Sequence, residues 1–301
     1  VSTFDNRQII APPIEEEVFP YRRVWKNLII QITIMILITV IIVIIDTFVG
    51  IQFEDTINFV VTLVIALVPL LLWLTFSVVT ERFVIQPRKN LLSLAILTGL
   101  CASAIGIPLV NNFFQLGQWI PLQSAFNRII GYTFTVGIVD TGLKLLVLRV
   151  IAVPKDVRVR IDAVAFCVAC AVGYTFIVNL NLIVSIRPTI STAVIYVFGT
   201  YVMQLTSSLI LSYGVSQVVF DNPFPVLLPF TVLIASFMIG IISPLESGLT
   251  SGGLTIDGGF TRPLFAVGFL IAMLMIIPSV IFFLYNVAER REEERYSSSG
   301  I

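Results

Sequence analysis

The chain has 301 residues, 57% of them hydrophobic and 12% charged, against the ~25% charge of a soluble domain. Basic and acidic residues balance at 18 each, which gives no electrostatic reason for a nucleic-acid partner. Histidine is absent, so no histidine can ligate haem, chlorophyll or a metal, or act as a base.

Apolar runs of 18 or more residues recur along the whole length, each enough to cross ~30 Å of hydrocarbon. They predict an all-α, polytopic transmembrane bundle of about eight spans: Leu28–Phe48, Ile57–Val79, Leu91–Val110, Ala125–Val153, Asp162–Val184, Thr189–Val218, Phe224–Ser243 and Pro263–Val287. The fourth and sixth exceed the bilayer thickness, which predicts tilt or extension into water. A membrane domain over 28–288 follows, in the cell (inner) membrane.

Residues 1–27 mix prolines, three consecutive glutamates and Arg22-Arg23, without the charged, apolar and small-residue order of a cleavable signal. They are expected to form a cytoplasmic arm. A start at Val1 points to a missing initiator or leader residue. Positive charge sets the orientation. Arg7, Arg22, Arg23 and Lys26 precede the first span, and Arg82, Arg88 and Lys89 follow the second. Arg149, Lys155, Arg158 and Arg160 surround the fourth–fifth turn, and Arg290, Arg291 and Arg295 follow the last span. The alternate loops hold only Arg187 and Arg262, with Arg128 near one edge, so both termini are expected in the cytoplasm. Phe220-Asp221-Asn222-Pro223 has no basic residue and is neutral on this point.

The loop Glu246–Arg262 contains Ser251-Gly252-Gly253 and Asp257-Gly258-Gly259 but no following Gly-Lys-Ser/Thr. It reads as a connector, not a phosphate-binding loop. Residues 289–301 form a charged cytoplasmic tail: Ala288–Arg295 alternates charge as a solvated helical extension does, and Ser297–Gly300 reads as unstructured. No internal repeat is visible, which weakens the case for an inverted-repeat transporter.

The fourth span carries Asp140 and Lys144, one helical turn apart, with Thr141 between them. Each ionisable group at that depth costs at least ~2.5–3.5 kcal/mol, so partners are required. Their i,i+4 spacing puts both on one face, where they can neutralise each other. A buried carboxylate beside an ammonium suits catalysis; a neutralised pair suits the locking of helices. The residues alone leave both open. The fifth span opens at Arg160-Ile161-Asp162 and continues as a ladder of small residues, Ala163, Ala165, Cys167, Ala169, Cys170, Ala171 and Gly173, which lets helix backbones approach closely. Cys167 and Cys170 match C-x-x-C in letters only and read as packing residues, so neither a disulfide nor a metal site is expected of the cysteines. Asn179 and Asn181 are expected to hydrogen-bond another helix. Gln204, Thr206, Ser207, Ser208, Ser212 and Ser216 form a polar seam on the sixth span, expected to face the interior and to bond partly to its own backbone.

Val139–Leu148 and Asp162–Leu180 together resemble the PrsW family of glutamic intramembrane proteases. That family carries E-E-x-x-K on one helix, then after a short turn D-x-x-x-Y-G, G-x-G-F and E-N. Lys144 matches the lysine, Asp162 the leading aspartate, Phe166 the aromatic, Gly173 and Tyr174 the G-F pair, and Asn179 the final asparagine. The resemblance implies a PrsW-like core over about 129–218. The departures fall on the chemistry. Asp140 and Thr141 stand where the two glutamates belong, Val178 replaces the glutamate before Asn179, and the family's histidine on a later helix is missing.

Proteolysis needs a base to activate water and an acid for the leaving amine. No catalytic residue is assigned, and Asp140, Lys144, Asp162 and Asn179 are the residual candidates. Three readings stay open: a pseudoprotease scaffold acting as a structural or assembly subunit, an active intramembrane peptidase with a reduced site around Asp140, and a small-solute or ion carrier. The first is preferred. It implies no cofactor and no metal, and as partners the lipid bilayer and other integral membrane proteins, up to a large membrane complex.

Overall fold

The computed structural model describes residues 21–49, 54–81, 87–153, 156–220, 226–251 and 261–298. Helix α1 spans Tyr21–Val49 and α2 Asp55–Trp73, the latter continued by a π-helical stretch, Leu74–Val79. Helix α3, Leu91–Cys101, passes through π-helical stretches at Ala102–Gly106 and Leu109–Phe113 to a short α4, Leu116–Trp119. Then α5, Ala125–Tyr132, runs through a π-helical stretch, Thr133–Gly137, into α6, Ile138–Ile151. Long helices complete the chain: α7 Arg160–Ile186, α8 Ile190–Phe220, α9 Leu227–Ser251 and α10 Thr261–Ser298.

Among the described residues seven helices are long and apolar enough to cross a membrane, so the chain is an all-α polytopic membrane protein. The expected fourth span is not one of the seven. Arg128, Asp140, Lys144 and Arg149 dilute it, and a π-helical stretch divides it. It nevertheless runs from one end of the bundle to the other. At one end Asn90 donates to Asp156 at 2.6 Å, joining the start of α3 to the turn after α6. At the other, Asn58 donates to the Pro188 carbonyl at 3.1 Å, joining the start of α2 to the α7–α8 turn. Since α3 leaves the first end and α7 begins there, the helix between them must return. Trp25 stacks edge-on against Phe282 at 5.3 Å and Tyr285 at 6.1 Å, so the first turns of α1 and the later turns of α10 share the first end as well.

Burial ranks the helices. The most apolar stretch of α8 is 94% buried and that of α7 78%, against 22–33% for the other five. The central pair is therefore α7 and α8, with the remaining helices presenting apolar faces outward, as lipid requires. All six seam residues of α8 are buried. Thr206 bonds back to the Val202 carbonyl, and Ser207, Ser212 and Ser216 to carbonyls three residues earlier. The small-residue ladder of α7 lies against α3. A Cβ on Gly173 would overlap the backbone of Ala95, and one on Gly99 would meet the Gly173 carbonyl oxygen at 3.1 Å.

Several expected boundaries move. Helix α1 begins at Tyr21, inside the segment read as an arm, and residues 1–20 lie outside the described ones. Helix α9 continues through Ser251, so the first six residues of the expected connector are helical, whereas Gly252, Gly253 and Asp257-Gly258-Gly259 lie outside the described residues. The charged extension after Ala288 is helical as expected, but the helix runs to Ser298, two residues into the segment read as unstructured. Apolar run length marks where a helix meets lipid, not where its hydrogen bonds stop.

Candidate functional site

Asp140 and Lys144 project from α6 into the bundle, 2% and 1% exposed. Their hydrogen bonds go to different partners, while the two charges attract each other across one helical turn. Tyr174 on α7 donates its hydroxyl to Asp140 Oδ1, and Gln204 Nε2 on α8 donates to Oδ2 at 2.6 Å. Lys144 Nζ donates to Ser207 Oγ on α8 at 3.1 Å and lies 5.5 Å from the centre of the Tyr174 ring. One helix thus presents a carboxylate and an ammonium to the two central helices, each group held by polar side chains. Next to Asp140, Thr141 accepts from Ser236 Oγ on α9 at 3.4 Å. Small residues make this possible. Gly137 has room for no Cβ against Ser236, which lets α6 and α9 close on each other.

Of the four candidates, these two share a site. Asp162 is fully buried at the N-terminus of α7, roughly 18 Å along the helix from Tyr174. It accepts from Arg88 Nε at 2.6 Å and from the backbone N–H groups of Arg158 and Val159 at 3.0 and 3.1 Å. An acid there satisfies donors that a helix start leaves open and opposes the positive end of the helix dipole. Arg88 also reaches Glu81 at 2.5 Å, so this cluster clasps helix ends. Asn179 is fully buried, but neither its Nδ2 nor its Oδ1 has a partner among the described residues, contrary to the expected interhelical bond. Asn181, the other expected interhelical amide, is exposed. Cys167 and Cys170 are buried free thiols.

The sequence reading did not identify Tyr174, Gln204 and Ser207 as partners of the charged pair. Tyr174 entered only as a motif position, and Gln204 and Ser207 only as seam residues. Their signal was weak but present: buried ionisable groups demand polar partners, and these were the polar residues on the adjoining spans.

The fold and site together define a polytopic membrane helical bundle with a sealed polar centre. Residues 86–213, which contain Asp140, Lys144, Asp162 and Asn179, match the family model described as PrsW family intramembrane metalloprotease, so the resemblance drawn from the motifs holds over that stretch. No curated protein and no solved structure matches the chain.

That description implies a metal, and the residues do not fit one. Asp140 is the site's carboxylate, both its oxygens already accept hydrogen bonds, and an ammonium stands one turn away. Among the described residues no group of three or more histidines, cysteines, aspartates or glutamates could hold a metal ion. No metal-dependent step follows from this donor set.

Proposed function

We propose that the chain is a non-catalytic, PrsW-like membrane scaffold that serves as a structural or assembly subunit for other integral membrane proteins of the cell membrane. The observation that carries this reading is the occupation of Asp140. A peptidase base must reach a water molecule, yet both carboxylate oxygens are taken by Tyr174 and Gln204 inside a 2%-exposed side chain. Lys144, the other charged group, is held by Ser207. The same bonds tie α6 to α7 and α8, which is the work of a structural pair.

The family match favours a second reading, a peptidase with a reduced site around Asp140. Co-expression with single-span substrates separates the two. The scaffold reading expects no cleavage by wild type or by Asp140→Asn; cleavage by wild type that Asp140→Asn abolishes would replace it with the peptidase. Isolation from native membranes in a mild detergent tests the assembly role. A stoichiometric complex of integral membrane proteins is expected, and recovery only as a monomer would remove that role.

A further inference from the structure

The helical run that begins at Leu91 is longer than a membrane needs. It stays apolar through Leu122, 32 residues in all, where about 20 suffice. At ~1.5 Å per residue, Leu91–Phe113 already covers the ~30 Å of hydrocarbon. The residues that follow stand at its boundary, at the end of the bundle opposite Asn90. Gln115, at φ 48°, turns the chain out of the helix. Then α4 and a 3-10 turn, Ile120–Leu122, lead to Ser124, which caps α5 by accepting from the Asn127 N–H at 3.4 Å.

This segment is a fixed body on α5. Trp119 Nε1 donates to the Phe114 carbonyl at 2.9 Å, and a Cβ on Gly131 of α5 would meet the Trp119 ring at 2.9 Å. Arg128 on α5 donates to the carbonyls of Gln123 at 3.0 Å and Pro121 at 2.5 Å. Leu116 and Ile120 are buried, yet Leu122 is 84% exposed, Phe113 73% and Phe126 69%. Residues 90–127 contain no charged side chain, and exposed amides such as Asn112, Gln115 and Gln118 supply the polarity.

Water is a poor solvent for such a face. Continuity selects lipid to cover it. Phe113 ends an exposed apolar row on α3 and its continuation, Ile96, Leu100 and Ile105. Phe126 opens another, Ile130 and Phe134, along α5 and the π-helical stretch after it. Both rows lie on helices whose outward sides meet acyl chains. Aromatic rings beside uncharged polar groups suit the depth at which the rows end.

We propose that Phe113–Phe126 is an interfacial cap. It lies in the plane of the headgroup–acyl boundary, with Phe113, Leu122 and Phe126 among the acyl chains and the amides among the headgroups. The cap has no charge of its own, and Arg128 is engaged by two carbonyls, so anionic lipid is not required.

The test places a single nitroxide-labelled cysteine at position 122, 126 or 54 of the full chain lacking Cys101, Cys167 and Cys170. Each chain is reconstituted in phosphatidylcholine vesicles, and depth is read from collisions with oxygen and with a water-soluble nickel chelate. Glu54, exposed at the same end beside the start of α2, is the aqueous reference. Labels at 122 and 126 are expected ~5–10 Å below the phosphates. The same depth is expected when phosphatidylglycerol is added. Nickel collisions at 122 equal to those at 54 would overturn the cap. An immobile label shielded from both reagents would give the face to a second copy instead, and a depth that needs phosphatidylglycerol would overturn the uncharged mode. If the cysteine-free chain fails to fold, Trp119 in the unaltered chain serves, since Trp25 and Trp73 are buried. Lipids brominated near the headgroup should quench more than lipids brominated near the chain end, and Trp119→Phe should remove that excess. No excess would overturn the proposal.

Discussion

Asp140 is the residue on which cohesion and chemistry compete, and its environment makes the two separable by measurement. Removing the carboxylate in Asp140→Ala leaves the Lys144 ammonium buried with Ser207 as its hydrogen-bond partner. Stranding a buried charge costs about 3–5 kcal/mol, so a large loss of stability in detergent unfolding is expected. Tyr174→Phe deletes one donor to a charged acceptor and should cost about 1.5–3 kcal/mol. A double variant, Asp140→Ala with Lys144→Met, removes both charges and should recover part of the loss; an additive loss would mean the two groups do not sense each other. The burial and the need for partners were legible in the sequence, because ionisable residues in an apolar run admit few alternatives. The partners' identities were not. The i,i+4 rule suggested mutual neutralisation, and the two charges do attract across one turn, but their hydrogen bonds go to Tyr174, Gln204 and Ser207 on the neighbouring helices.

Helices α3 and α7 are held together by shape. Gly173 faces the Ala95 backbone with no space for a methyl group, so Gly173→Ala must push the helices apart. Overpacking of this kind costs about 1–3 kcal/mol. Gly142 is the internal control. A Cβ there meets nothing within 4 Å, and the residue sits inside α6, so Gly142→Ala should be neutral or stabilise by up to about 1 kcal/mol. Comparing the two unfolding midpoints tests whether close approach, not glycine as such, matters. The small-residue ladder announced a close helix contact in the sequence, yet nothing in it named α3 as the neighbour. The π-helical stretches were also invisible there. They depend on how adjoining helices accommodate one another, as where Asn27 and Thr80 both bond the Phe76 carbonyl.

At the scale of the whole molecule, the number of crossings decides the topology, and the helix Ala125–Ile151 decides the number. If it crosses, the segments around Lys89 and Thr189 are separated by three crossings and lie on opposite sides; if it does not, they share one side. The bond Asn90–Asp156 puts its last turn beside the start of α3, and α3, which runs away from that point, leads the chain to its first turn at the other end of the bundle. At ~1.5 Å per residue the stretch is long enough to span the hydrocarbon. Among the residues whose side chains are described, Lys26, Arg88, Lys89, Arg149, Arg158, Arg160 and Arg290 gather at the first end and Arg128 and Arg187 at the second. The positive-inside rule predicts a cytoplasmic first end. A cysteine at position 89 in a chain lacking Cys101, Cys167 and Cys170 is therefore expected to resist a membrane-impermeant maleimide in intact cells and to react once the membrane is opened. A cysteine at position 189 should react in intact cells. Labelling of both from one side would show that Ala125–Ile151 does not cross, and would leave Asp140 and Lys144 outside the hydrocarbon, where their burial could no longer be ascribed to the membrane.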